Sequence, residues 1–303
     1  MLEKIKNKLS SFIIWIKTIN WIITHRGNYS FGPNDVRYAL DFFVATKKTK
    51  LKNSIAVERS IREILFKIWP KISPLPIVRV GPKNDSGYSI AQINQVDLMI
   101  SGGAGKNIDF ELFFAERGTK VHICDPFVRE LPKSHKNVSH YLLKFGENNL
   151  ENKSKNITIG GFEELIKINP NGINQLKLDI EGSEISLLSL NNLNLDKYAQ
   201  IVIEIHNLYR LTLEDFRNEF VKTIENLLKC HHVVNFNSNN NGLMLSFGSL
   251  LIPEVFELTL LHHKYFESIP LERVKFENII EDNSNNDERL AHINIFAYME
   301  KTE

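Results

Sequence analysis

The sequence is poor in cysteine, has no excess of charge of either sign, and contains no long uninterrupted hydrophobic run. Its two cysteines, Cys124 and Cys230, lack metal-ligand and redox spacing and lie in apolar stretches. This excludes a cysteine-based metal or redox motif, and buried thiols in a reducing, cytoplasmic compartment are expected. The 37 basic and 36 acidic residues leave a formal charge of +1, so no electrostatic field favours nucleic acid and no nucleic-acid partner is expected.

The most apolar run is FIIWIKTINWII, residues 12–23. A bilayer-spanning helix needs about 20 apolar residues, and this run is shorter and interrupted by a lysine and an asparagine. No small-residue cleavage site follows it, so a signal peptide is not expected. A helix docked on the protein or a partner is favoured. The alternative is peripheral membrane contact through residues 1–25, with Trp15 and Trp21 at headgroup depth.

The hydrophobic pattern changes near Pro70. Before this residue the sequence predicts a helical N-terminal extension, residues 1–70, and after it a Rossmann-like domain, residues 71–303. In that domain short β-branched runs alternate with helical stretches, which predicts a doubly wound α/β fold with a mostly parallel sheet and an antiparallel last strand. The predicted helices are 2–23, 34–46, 55–69, 110–117, 162–168, 185–190 and 213–228. The predicted strands are 96–100, 120–124, 138–143, 175–178, 201–205, 232–236 and 254–261.

The segment SGGAGKNIDFE, residues 101–111, lies between a predicted strand and a predicted helix. Glycines there allow a sharp turn and close approach of a ligand, at the sheet edge where nucleotide-like ligands bind. A dinucleotide site needs G-x-G-x-x-G, but Ile108 occupies the position of the third glycine. A methyl donor carries no pyrophosphate and does not need that glycine. The candidate cofactor-binding residues of this loop are Ser101, Gly102, Gly103, Gly105 and Asn107.

Asp125 follows the next predicted strand, 22 residues after Gly103. An acid at about this spacing accepts hydrogen bonds from ribose hydroxyls. The alternative is a solvated turn acid before Pro126. The glycine loop upstream favours ribose binding, so Asp125 is a candidate cofactor-binding residue.

Carboxylates also gather in LKLDIEGSE, residues 176–184, where Asp179 and Glu181 follow a buried strand and Gly182 is expected to start a helix. Carboxylates at the mouth of a sheet suit an ammonium group or a proton. His206 ends the next predicted strand, so we expect it beside Asp179, as a candidate general base. Asp179, Glu181 and His206 are the candidate catalytic residues. No ligand set has dedicated spacing, so no metal site is predicted.

Several of these segments together resemble the FkbM-type methyltransferases. They are the G-x-G-x-N-x-x-F-E loop, the Asp-Pro pair, the LKLDIEGSE run and the strand ending in EIH. NNNG at 239–242, PEVFELT at 253–259 and RVGPKNDSGY at 79–88 are also similar to segments of such enzymes. The resemblance covers about residues 79–262, and LKLDIEGSE is its most specific part.

The resemblance implies a class I methyltransferase fold. It also implies transfer of a methyl group from S-adenosylmethionine to an oxygen of a small-molecule or glycan acceptor. Two alternatives remain at the level of sequence. One is a nucleotide-binding oxidoreductase, which Ile108 disfavours. The other is an inactive methyltransferase-fold scaffold that binds a partner or a membrane through residues 1–70.

Overall fold

The structure is a computed structural model. It describes residues 54–82, 86–146, 156–191, 193–239, 244–247 and 250–274. The predicted helices 2–23 and 34–46 lie outside the described residues.

The described strands and helices alternate along most of the chain. The strands are β1 Ile77–Val80, β2 Tyr88–Ala91, β3 Leu98–Gly102, β4 Lys120–Cys124, β5 Val138–Tyr141, β6 Lys144–Phe145, β7 Asn156–Ile157, β8 Asn174–Leu178, β9 Tyr198–Ile205, β10 His231–Ser238, β11 Met244–Phe247, β12 Leu250–Pro253 and β13 Phe256–His262. The helices are α1 Ser54–Lys67, α2 Asp109–Glu116, α3 Ile159–Ile166, α4 Glu184–Leu188 and α5 Glu214–Leu228, with 3-10 turns at Leu208–Thr212 and His263–Phe266.

Seven strands form a central sheet in the order β5-β4-β3-β8-β9-β13-β10. The pairs from β5 to β9 are parallel, whereas β13 is antiparallel to both β9 and β10. All eight residues of β9 are buried, as expected of a parallel strand covered on both faces. The prediction of a doubly wound α/β fold with a mostly parallel sheet is therefore confirmed. This is a class I methyltransferase-like arrangement.

The two faces of the sheet pack into separate hydrophobic clusters because successive strand side chains point to opposite sides. On β3, Ile100 packs on the side of α1, α4 and α5, whereas Met99 packs on the side of α2 and the β1–β2 hairpin. This layering leaves the carboxyl ends of the parallel strands free of helix, so ligand-binding loops can gather there.

Helix α1 was predicted as part of the N-terminal extension, but its apolar face packs in the main core. Ile61, Ile64 and Leu65 are almost fully buried and belong to the same cluster as the residues of β8 and β9. This helix therefore contributes to the core of the α/β domain. The boundary near residue 70 stays a prediction.

Each predicted helix and strand within the described residues is present, with ends that differ by at most three residues. One detail of the prediction was wrong: Gly182 does not start a helix, since α4 begins at Glu184. The hairpins β1–β2 and β11–β12 and the pair β6–β7 were not predicted. Their strands have two to four residues, too few for a clear alternating pattern. Among the described residues, no helix is long and apolar enough to cross a membrane.

Candidate functional site

A cavity of about 760 Å³ opens at the carboxyl ends of the parallel strands. Its walls come from the loop after β3, the turns after β4 and β8, and the end of β9. A volume of this size is in the range of small-molecule sites. Seven of the nine predicted site residues line it: Gly103, Gly105, Asn107, Asp125, Asp179, Glu181 and His206.

The two central glycines of the loop differ in their surroundings. Gly103 has a φ of 80°, and a Cβ added there would overlap the backbone oxygen of Asp179. Its amide donates to the oxygen of Cys124 at 3.1 Å. Gly105 has a φ of 56°, and a Cβ there would meet nothing within 4 Å. Gly103 is therefore required by the close approach of the turn after β8, and Gly105 faces open space at the cavity.

The remaining predicted loop residues have other surroundings. Ser101 is fully buried, and its hydroxyl donates to Glu111 Oε1 at 2.6 Å. The oxygen of Gly102 accepts from the Asp179 amide at 2.9 Å. Neither Ser101 nor Gly102 lines the cavity; both connect the loop to its support. Asn107 lines the cavity, and its side chain accepts from the Asp109 amide at 2.7 Å at the start of α2.

Asp125 ties the glycine loop to the turn after β4. Its carboxylate accepts from the amide of Ala104 at 2.9 Å and from those of Phe127 and Val128 at 2.7 and 3.0 Å. Burial alone raises the pKa of this carboxyl, but the amide hydrogen bonds outweigh burial and lower it below its usual value. Asp125 is therefore an anion that holds two walls of the cavity together.

Lys177 is a buried cation beneath the site. Its ammonium donates to the oxygen of Gly103 at 2.6 Å and lies 3.8 Å from Glu111 and 3.6 Å from Asp179. Burial alone lowers the pKa of Lys177, but the surrounding carboxylates outweigh burial and raise it above its usual value. This charged side chain fixes the positions of both the glycine loop and Asp179.

The turn after β8 is held from below by Glu184, which is fully buried. Its carboxylate accepts from the amides of Ile180 at 2.8 Å and Gly182 at 2.9 Å. The same carboxylate lies 3.1 Å from His206 Nδ1. The turn and the histidine are therefore positioned by one side chain.

His206 follows β9 directly, and its Nε2 points to the turn after β8. It lies 3.9 Å from Asp179 Oδ1 and 3.8 Å from Glu181 Oε2. Each of these three residues has one nitrogen or carboxylate oxygen that could bind a metal ion, and these three atoms lie within 4.8 Å of one another. The structure thus brings together the three predicted catalytic residues, which we call the carboxylate–histidine cluster.

The charges around His206 conflict with its predicted role as a general base. Burial alone lowers the pKa of the imidazole, but the hydrogen bond to Glu184 and the charges of Glu184, Glu204 and Asp179 raise it to about 10. An imidazolium has no lone pair with which to accept a proton. Without a metal ion at Nε2, the surrounding carboxylates therefore favour the protonated imidazole.

Glu204 adds a further carboxyl at the base of the cavity. Its Oε1 lies 3.8 Å from His206 Nε2 and accepts from Asn239 Nδ2 at 2.7 Å. Burial and the charges of Asp179 and Glu257 raise the pKa of Glu204 well above its usual value. Carboxyl groups are therefore crowded at this end of the cavity, and Glu204 favours its protonated form.

Comparison with models of known protein families identifies the family of this chain. The model described as the methyltransferase FkbM domain matches residues 72–234, more than half of the chain. The chain belongs to the FkbM methyltransferase family. Comparison with curated proteins found no match. The chain is therefore a methyltransferase with the fold that its sequence predicts.

The cavity of this FkbM domain fits a nucleoside-bearing methyl donor. Gly105 leaves open space where a side chain would fill the cavity, and Asp125 lies on the adjacent wall. Ile108 is almost fully buried in the core, so the loop has no third glycine for a pyrophosphate. The crowded carboxylates at the other end suit a donor that carries positive charge.

Sequence reasoning missed four residues of the FkbM site. They are Tyr88, whose hydroxyl donates to Asp179 Oδ2 at 2.7 Å, and Lys177, Glu184 and Glu204. A charged residue inside an apolar strand was a visible signal for Lys177 and Glu204. Tyr88 ends the segment RVGPKNDSGY that resembles the family, but its contact with Asp179, 91 residues away, could not be predicted from this resemblance.

Proposed function

We propose that this methyltransferase uses S-adenosylmethionine and methylates a hydroxyl oxygen of a small molecule or glycan. One observation carries the proposal: a single cavity is lined by the glycine loop, by Asp125 and by the carboxylate–histidine cluster. A donor and an acceptor can therefore meet within one cavity. Catalysis of this kind depends mainly on such alignment.

The proposed roles follow from the positions of the side chains. The backbone at Gly103 and Gly105 passes close to the donor, and Asp125 faces its ribose. Asp179 and Glu181 bind the methionine ammonium or the acceptor. When bound, S-adenosylmethionine would supply a methyl group to the acceptor oxygen, with the hydroxyl proton passing to water and the C–S electron pair staying on sulfur.

The two alternatives make different predictions about ligands. A nucleotide-binding oxidoreductase would bind a nicotinamide cofactor, which the buried Ile108 side chain disfavours. An inactive scaffold would bind neither cofactor. A site that has Gly103, Gly105, Asp125 and Asp179 lining one cavity favours an active enzyme.

The test is calorimetric titration of the full chain with S-adenosylhomocysteine and, separately, with NADH. We expect saturable binding of the first and none of the second. Asp125→Ala removes an acceptor of charge-assisted hydrogen bonds, typically a loss of about 1.5–3 kcal/mol. The variant should therefore bind S-adenosylhomocysteine at least about tenfold more weakly.

Asp109→Ala is the matched control, because Asp109 lies at the start of α2 and pairs with Lys133 at 2.6 Å on the surface. Its affinity should equal that of the unmodified chain. Unchanged affinity in Asp125→Ala would remove Asp125 from the site. Binding of NADH alone would favour the oxidoreductase, and binding of neither ligand would favour the scaffold.

A further inference from the structure

We propose that Asp179, Glu181 and His206 bind a divalent metal cation, and that this cation holds the hydroxyl oxygen of the acceptor. These residues have no dedicated spacing along the chain, so no metal site was predicted from the sequence. The role toward the acceptor rests on the proposed function, whereas binding of the cation does not.

The geometry of the carboxylate–histidine cluster suits a cation. Ligand atoms at about 2.1 Å from one ion lie roughly 3–4 Å apart. His206 Nε2 lies 3.9 Å from Asp179 Oδ1 and 3.8 Å from Glu181 Oε2, and three ligand atoms fit within 4.8 Å. The two separations from His206 Nε2 therefore lie within the range found between ligands of a single ion.

His206 is oriented as metal-binding histidines are. Such a ligand donates its other ring N–H to a carboxylate, which fixes the ring, and the metal takes the place of the proton on the facing nitrogen. Here Glu184 accepts from Nδ1 at 3.1 Å, so Nε2 is the nitrogen directed at the carboxylates of Asp179 and Glu181. Glu184 also binds the turn that carries these two carboxylates, so all three ligands share one support.

The charge of the site gives the cation a chemical role. The carboxylates of Asp179 and Glu181 lie within 4 Å of His206 Nε2. Such negative charge raises the pKa of a neighbouring acceptor hydroxyl, which opposes loss of its proton. A divalent cation at the same place reverses the sign of this effect and lowers that pKa.

The cluster leaves room for the acceptor. Three protein ligands occupy half of an octahedral coordination shell, and the cluster lines the cavity, with the Glu181 side chain 87% exposed. Water or an acceptor oxygen completes the shell. The bound hydroxyl loses its proton to water, its oxygen forms the C–O bond, and the C–S electron pair stays on the sulfur of the donor.

The test uses Mn²⁺ alone as the probe, with the full chain, measured by electron paramagnetic resonance and calorimetry. We expect one saturable Mn²⁺ per chain. His206→Ala should lose this binding. Glu181→Gln, at an exposed side chain that leaves the core intact, should weaken it at least about tenfold. Asp196→Asn is the matched control, because Asp196 pairs with His262 at 3.0 Å outside the cavity, and its Mn²⁺ affinity should be unchanged.

A second titration adds S-adenosylhomocysteine. Retained Mn²⁺ binding in its presence supports the proposal, whereas displacement of Mn²⁺ would overturn it and assign the cluster to the methionine ammonium. Absence of saturable Mn²⁺ binding, or equal affinity in Glu181→Gln and the unmodified chain, would also overturn it. If Mn²⁺ binds but S-adenosylhomocysteine does not, the cation site stands and the methyl-donor proposal fails.

Discussion

At the scale of single residues, the glycine loop offers a matched pair of positions. Both Gly103 and Gly105 have positive φ, so an alanine at either position is strained by about 1–2 kcal/mol. Only at Gly103 would the new methyl group also overlap the backbone oxygen of Asp179. The two positions therefore separate backbone strain from steric overlap.

We expect Gly103→Ala to lower the free energy of unfolding by at least about 1 kcal/mol more than Gly105→Ala, since the overlap adds to the strain. Gly105→Ala should fold and bind S-adenosylhomocysteine more weakly, because Gly105 lines the cavity and its positive φ is disturbed by a side chain. Urea denaturation and calorimetry measure the two effects. Equal stability of the variants would contradict the close contact between the loop and the turn after β8.

The residues around Asp179 also show why its role depends on its neighbours. Lys177, Tyr88 and His206 all contact its carboxylate, at 3.6, 2.7 and 3.9 Å. These partners come from three different strands or strand ends. The sequence located Asp179 correctly at a strand end, but two of these partners, Tyr88 and His206, are distant from it in sequence.

At the scale of elements, helix α1 shows that the hydrophobic core extends beyond the residues that match the family model. The match begins at residue 72, after the end of α1 at Lys67. Yet Ile61 on this helix is fully buried in the main core. We therefore expect the domain to need α1 for its stability.

Ile61→Ala should lower the free energy of unfolding by about 2–5 kcal/mol, the range for loss of a large aliphatic side chain from a core. Ile55→Ala, on the same helix but 81% exposed, is the control and should change it by less than about 0.5 kcal/mol. Urea denaturation of both variants measures the difference. Similar small losses in both would show that α1 does not pack as described.

The elements also show which patterns are readable in a sequence. Strand β9 was predicted because it is a nearly continuous apolar run, and helix α5 because its apolar residues recur with the helical period. The β1–β2 hairpin lacks such a signal, yet it carries Tyr88 to Asp179. A short strand can therefore contribute to the site without being visible in the hydrophobic pattern.

At the scale of the whole molecule, the role of residues 1–25 stays a prediction, since they lie outside the described residues. If this segment docks on the protein, its deletion exposes apolar surface and should lower thermal stability or solubility. Thermal unfolding of the truncated and full chains measures this. Equal stability, together with sedimentation of the full chain with anionic liposomes, would instead favour peripheral membrane contact.

The fold class could be read from local patterns because the alternation of apolar runs and the glycine loop are properties of neighbouring residues. The site could be read only in part. Parallel strands bring their carboxyl ends together, so the proximity of Asp179 and His206 followed from strand order. The hydrogen bond from His206 to Glu184, the burial of Lys177 and the crowding of carboxylates did not, because they depend on how separate strands and turns pack. Those contacts decide how strongly the imidazole of His206 holds its proton, which no local pattern in the sequence indicates.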